Sequence, residues 1–321
     1  MTRRTFLRLA GVGVVVGLVA VGVLLQQWVQ PRSGSIPAMT ARRAFGAAVL
    51  QEQVYAVGGW NGAASQLDLV EVFDPAAQEW TVAAPLQIAR SQHAVLVVDE
   101  QLWVIGGWSA EHGLVSAVER FSLAQGAWTT VTHLPTPRRE PGVARFQQWL
   151  VVAGGFDGSS DADLDGYSDR VEAYDLDHGT WRRLANLTVP RRGLALVTVA
   201  DRLFAIGGYT AEGGFTNVVE EYDATGNRWG RHSWPIVPRT WAATAVVDGA
   251  ILLVGGYNQT GFLGLVERLD PHTGQLCHPL PLQTPRSWFA VAATTVGLLA
   301  LGGETAAGFT GSVEKVETTC E

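Results

Sequence analysis

The chain has 321 residues, with 37 glycines, 14 prolines, 47% hydrophobic and only 17% charged residues. That balance argues against a disordered tail or a coiled coil, and 23 basic against 30 acidic residues, a net charge of -7, leave no basic cluster for a nucleic-acid partner. Two cysteines, Cys277 and Cys320, are too few for a disulfide framework or a thiolate zinc site.

Residues 1–30 read as an address. Arg3, Arg4 and Arg8 precede an unbroken apolar run over residues 9–25, the order of a signal segment. The Arg3-Arg4 pair with Phe6-Leu7 resembles the bacterial twin-arginine export signal. The run of 17 residues is at the short limit for a membrane helix, no A-x-A cleavage site lies between Gln26 and Thr40, and Trp28 sits where an interfacial aromatic would. Two outcomes are expected: an anchor in the cytoplasmic membrane, or a signal removed on secretion. In both, residues 31–321 lie outside the cytoplasm.

The rest of the chain is repetitive. Gly-Gly recurs at 58–59, 106–107, 154–155, 207–208, 255–256 and 302–303. Sixteen residues before each pair stands an arginine: Arg42, Arg90, Arg138, Arg191, Arg239 and Arg286. After each comes a glutamate: Glu71, Glu119, Glu172, Glu220, Glu267 and Glu314. Nine residues past the glutamate lie Trp80, Trp128, Trp181, Trp229 and then Leu276. Between these markers, four short apolar or alternating runs per unit, separated by turns, predict four strands. A period near 48 residues suits a propeller blade.

The diglycine after an apolar strand, the aromatic-Asp pairs Phe73-Asp74, Tyr174-Asp175 and Tyr222-Asp223, and the tryptophan beyond them resemble the kelch-repeat family. The resemblance covers residues 37–318 and implies an all-β, six-bladed β-propeller of four-stranded blades, with a monomer expected. Blades are predicted at about residues 42–88, 90–136, 138–189, 191–237, 239–284 and 286–319. Each inner strand is expected to start at its arginine. Blade 6 lacks room for a fourth strand, so residues near 33–36 are expected to supply it and remove the open edge. The six arginines, the diglycines and the six glutamates then share one face, the top. Cys277 and Cys320 fall at the bottom of adjacent blades. A disulfide and two buried free thiols are both compatible with that placement.

The unit from 154 to 207 is longer than the others, and its extra residues contain Asp161, Asp163, Asp165, Gly166, Tyr167 and Asp169. This is the D-x-D-x-D-G pattern of a calcium loop: alternate carboxylates converge once glycine turns the chain, Tyr167 adds a carbonyl, and Glu172 stands where a bidentate ligand is expected. A glutamate occupies that register in every repeat, and a solvated acidic loop is the other reading. Calcium is the expected structural cofactor.

After each diglycine comes Trp60, Trp108, Phe156, Tyr209, Tyr257 or Glu304. Beyond the arginines stand Gln92, His93, Glu140, Trp241 and Trp288. Rings with nearby arginines suit a carbohydrate or an extended peptide. Trp60, Trp108 and Trp241 are the leading contact candidates, with Arg42, Arg90, Arg138, Arg191, Arg239 and Arg286 beside them. The six Arg–Glu sets also read as exposed structural pairs contributing about 0–1 kcal/mol each. Two enzyme classes share the fold. Copper oxidases need a Tyr–Cys cross-link and clustered histidines that this sequence does not supply, so no copper is expected. A sialic-acid mutarotase needs only an acid and a base, for which Glu140 and His93 are candidates. The expected function is a non-enzymatic recognition module for a carbohydrate or protein, with a mutarotase as the alternative.

Overall fold

The computed structural model describes residues 36–158 and 166–320. The signal segment, most of the outer strand expected near residues 33–36, and Asp161, Asp163 and Asp165 lie outside the described residues. Among the described residues no helix is long and apolar enough to cross a membrane.

The repeats form six antiparallel sheets. Blade 2 shows the pattern: Ala94–Val98, Gln101–Ile105, Ala117–Ser122 and Ala127–His133 pair in sequence order. Blades 1, 3, 4 and 5 have the same four strands, the last of them only Leu276–Cys277 in blade 5. The first strand of each blade touches the first strand of both neighbours, and that of blade 6, Ala290–Thr294, touches Gly46–Leu50 of blade 1. The first strands therefore surround an axis.

Strand periodicity explains why the blades stack. Successive side chains point to opposite faces. In Gln53–Val57, Val54 and Ala56 join the core shared with blade 6, whereas Tyr55 and Val57 join the core shared with blade 2. In Arg202–Ile206, Leu203 and Ala205 face blade 3, and Phe204 and Ile206 face blade 5. Each blade interface holds one apolar cluster, and the sixth seals blade 6 to blade 1.

The diglycines have a backbone reason. The second glycine donates its N–H to the carbonyl of the next blade's arginine: Gly59 to Arg90, Gly107 to Arg138, Gly155 to Arg191, Gly208 to Arg239 and Gly256 to Arg286, and Gly303 closes the ring onto Arg42 at 2.9 Å. Both glycines have positive φ, and a Cβ on Gly106 would sit 2.6 Å from the Arg138 carbonyl. Only glycine tolerates that conformation and that approach together.

Two sequence expectations need correction. The inner strands start four residues after the arginine, not at it: Arg42 precedes Gly46–Leu50, and Arg90 precedes Ala94–Val98. The intervening residues turn through a left-handed conformation, with Ala44 and Gln92 at positive φ. Blade 6 has three strands among the described residues, ending in Gly308–Val316, and Ile36 is not in a strand. The segment just after Ile36 does close the ring. Met39 donates to the Gly311 carbonyl at 2.9 Å, as Leu86 donates to Asp68 and Leu134 to Ser116 where other blades connect. The Trp80 indole donates to the Pro37 carbonyl at 2.9 Å, as that of Trp128 does to Ala84.

Cys277 and Cys320 are joined in a disulfide that spans 43 residues and ties the C-terminal segment to the outer strand of blade 5. Arg268 reinforces the tie, donating to the Thr318 carbonyl at 3.4 Å.

Candidate functional site at the axial mouth

The six arginines are buried within the blades rather than displayed on them. Arg42, Arg90, Arg138, Arg191 and Arg286 are 0% exposed and Arg239 is 3% exposed. Each guanidinium meets its own blade's glutamate: Arg42–Glu71 at 2.8 Å, Arg138–Glu172 and Arg191–Glu220 at 2.5 Å, Arg286–Glu314 at 3.3 Å, together with Arg90–Glu119 and Arg239–Glu267. The same group caps the blade's own carbonyls. Arg90, Arg138, Arg239 and Arg286 reach the first glycine of their diglycine, which accounts for the spacing of 16 residues. Arg42 and Arg191 reach Ala56 and Ala205 instead. The expectation of exposed pairs is thus corrected to buried ones, and in this structure the six guanidinium groups face blade interiors, not a ligand surface. Burial pulls the Arg42 guanidinium down to about 10, with Glu71 acting in the opposite direction.

The calcium expectation is also changed at one end. Glu172 accepts from Arg138 and, at 2.8 Å, from the Thr136 hydroxyl, so its carboxylate belongs to the blade interior. Tyr167 packs edge-on against Phe156 at 6.0 Å and under Arg192. Asp169 begins the approach to the third strand of blade 3, where its carbonyl accepts from Leu187. Among the described residues no cluster of three or more His, Cys, Asp or Glu side chains could hold a metal ion.

Two residues after each buried arginine stand Ala44, Gln92, Glu140, Gly193, Trp241 and Trp288, all at positive φ. Their backbones link blade to blade. Gln92 donates to Ala44 at 2.7 Å, Glu140 to Gln92 at 2.8 Å, Gly193 to Glu140 at 3.0 Å, Trp241 to Gly193 at 3.1 Å, and Ala44 to Trp288 at 2.9 Å. The strained turns thus build a rim around the axis, and Gln92, Glu140, Trp241 and Trp288 of the rim line a cavity there. Strain of this kind persists only where surrounding bonds enforce it.

Two cavities share this rim. One, of about 160 Å³, is lined by Gln92, His93, Glu140, Trp241 and Trp288 among others. The second, of about 220 Å³, is lined by Arg43, Trp60, Ser91, Gln92, Trp108, Arg139 and Trp288. The three tryptophans expected at the site are therefore at the mouth, with Trp241 in the first cavity and Trp60 and Trp108 in the second. Gln92 and Trp288 border both.

Glu140 organises the first cavity. It accepts from Gln92 at 2.9 Å, from Arg192 at 2.9 Å and from the Trp241 indole at 2.8 Å. Those donors come from blades 2, 4 and 5, so one carboxylate of blade 3 ties four blades together. Trp241 stacks on Trp288 with ring centres 4.2 Å apart. His93 is buried beneath, its Nε2 3.1 Å from the Val57 carbonyl.

Sequence reasoning passed over three residues here: Arg43, Arg139 and Arg192, each directly after a buried arginine. The signal was present as Arg-Arg in three of the six repeats, with Ser91, Thr240 and Ser287 in the others. Arg43 pairs with Glu304 and lies 5.0 Å from the Trp60 ring centre. Arg192 pairs with Glu140. Arg139 lies 4.7 Å over the Phe156 ring.

Comparison with known proteins agrees with this architecture. The structure of YjhT is similar, with a TM-score of 0.72 and 18% identity over 89% of this chain and 98% of that one, a likeness of fold. No curated protein matches the chain. The Attractin/LZTR1 beta-propeller family matches residues 18–263, more than half of the sequence. With the six-blade ring and its kelch-type markers, that match places the chain in the Attractin/LZTR1 beta-propeller family.

Proposed function

We propose that the chain is an extracytoplasmic recognition propeller that binds a carbohydrate at its axial mouth, with residues 1–30 directing export or anchoring it to the membrane. One observation carries the reading: Trp60, Trp108, Trp241 and Trp288 border two adjoining cavities beside arginine and amide groups. Indole faces stack on the apolar faces of sugars, while fixed polar groups orient them. The disulfide supports an oxidising compartment. A peptide or protein ligand at the same face is the competing occupant.

Calcium bound by Asp161, Asp163, Asp165, the Tyr167 carbonyl and Asp169 is proposed to order the blade 3 loop next to Phe156. Glu172 is left out of that set because Arg138 holds it.

A second reading, a mutarotase acting on a sialic acid, is favoured by Glu140 and His93 lining one cavity. Glu140 is already held by three donors, which suits a fixed carboxylate better than a group that exchanges protons.

The test is a glycan array and then calorimetry on the full chain, in calcium and in chelator. Trp241→Ala is expected to weaken the best glycan at least ten-fold. Millimolar calcium is expected to raise the melting temperature relative to chelator, as any ligand of the folded state does. An array without hits, paired with protein partners in pull-downs, would reverse the choice of ligand. Accelerated anomer exchange of a sialic acid, lost in Glu140→Gln, would move the mutarotase reading to first place. An unchanged melting temperature would remove calcium.

A further inference from the structure

The three arginines of the mouth are not equivalent. Arg43 is neutralised by Glu304, and Arg192 by Glu140. Arg139 has no carboxylate partner among the described residues. Its planar group rests on Phe156, and its Nε is buried without a hydrogen-bond partner. Among the described residues these two pairs leave Arg139 as the one of the three guanidinium groups without a carboxylate partner. A partly desolvated cation without a counter-charge is costly, and a bidentate carboxylate is the group that fits its fork.

The surroundings select the body that carries the carboxylate. Backbone groups here are already paired. Arg43 and Trp60 exchange both hydrogen bonds, as do Ser91 with Trp108 and Arg139 with Phe156. No free ladder is offered to an added peptide strand, so recognition falls to side chains. Those side chains are the rings of Trp60 and Trp108, with Gln66, Ser91 and Gln92 between them, around about 220 Å³. A single sugar ring bearing an acid group matches this size and chemistry better than an extended peptide.

We propose that Arg139 seats the carboxylate of a sugar acid whose ring lies against Trp60 or Trp108. The inference deepens the carbohydrate reading above and rests on it. The test is calorimetry on the full chain with D-glucuronate, D-glucose and a short glutamate-containing peptide. Glucuronate is expected to bind at least ten-fold more tightly than glucose and than the peptide. Arg139→Gln is expected to erase the preference for the acid over glucose. Arg139→Lys keeps the charge but loses the fork, and is expected to restore only part of the preference. Melting curves of both variants check that the fold is kept, so that a change in preference reports on binding. Equal binding of glucose and glucuronate, or an Arg139→Gln variant that keeps the preference, overturns the role of Arg139 while the carbohydrate reading survives. Tighter binding of the peptide overturns the sugar acid. Absence of binding by both sugars, with the array also blank, overturns both readings together.

Discussion

Glu119→Ala is expected to destabilise the propeller by about 3–5 kcal/mol, because it strands a buried guanidinium. Arg90 and Glu119 both have side chains that are 0% exposed. Burial already pulls the Arg90 guanidinium down, and Glu119 is what opposes that shift. The same carboxylate accepts the Gln87 N–H at 2.8 Å and the Ile88 N–H at 3.3 Å, so alanine also orphans two backbone donors in the connection between blades 1 and 2. Replacing a buried ion pair with apolar residues is often harmless, but here it is expected to fail. Arg90 also donates to the carbonyls of Gly106 at 3.1 Å and Ala117 at 2.8 Å, and each carbonyl left unpaired costs about 1–3 kcal/mol. The double variant Arg90→Met with Glu119→Leu should therefore stay well below the parent in urea midpoint. Glu314→Ala provides the contrast: its carboxylate is 13% exposed and 3.3 Å from Arg286, and Ser312 Oγ already takes one Arg286 donor at 3.1 Å. A Glu314→Ala loss equal to that of Glu119→Ala would mean that depth of burial is not what sets the cost.

These pairs also mark where the sequence is legible and where it is not. The Arg, Gly-Gly and Glu spacings recur because one guanidinium must reach a fixed carbonyl and a fixed carboxylate in its own blade. Such local constraints leave a period in the sequence, and the six-blade ring can be read from it. Depth leaves no such trace. Nothing in the spacing of Arg42 and Glu71 distinguishes a surface pair from a buried one, since that depends on the neighbouring blade closing over it. The mouth is less legible still. Arg43, Arg139 and Arg192 look alike in the sequence, and they differ only in whether a carboxylate arrives from elsewhere: Glu304 lies 261 residues from Arg43, and Glu140 lies 52 from Arg192. The aromatic candidates fared better because their register after the diglycine puts Trp60 and Trp108 at one cavity. The calcium motif is clear in its aspartates, but its last position coincides with the blade glutamate, and the repeat's own chemistry claims Glu172.

Acid is expected to weaken the fold through one histidine. His93 is buried, and that burial, with the positive charges of Arg90 and then Arg42, holds its imidazole down to about 3, while the Val57 carbonyl pulls the other way. An unfolded histidine titrates near 6.5. Between those values the unfolded chain binds a proton that the folded one refuses. Stability from this group is therefore complete above pH 6.5 and falls as pH drops below it, by about 1.4 kcal/mol per pH unit. At pH 4.5 the loss amounts to about 2.7 kcal/mol. The equivalent rim position is Phe45, Pro141, Leu194, Ala242 or Phe289 in the other blades. The side chain there packs on the preceding blade's diglycine: Leu194 against Gly154, Phe289 against Gly255, and His93 against Gly58. Leucine therefore has a precedent in this slot, and His93→Leu is expected to fold. Comparing urea midpoints of parent and variant at pH 7 and pH 4.5 isolates the histidine, because carboxylates that titrate in the same window are common to both proteins and cancel. The variant should lose about 2.5 kcal/mol less than the parent on acidification. Parallel losses in the two proteins would show that His93 accepts its proton within the folded rim, and that its burial between two guanidinium groups does not keep it neutral.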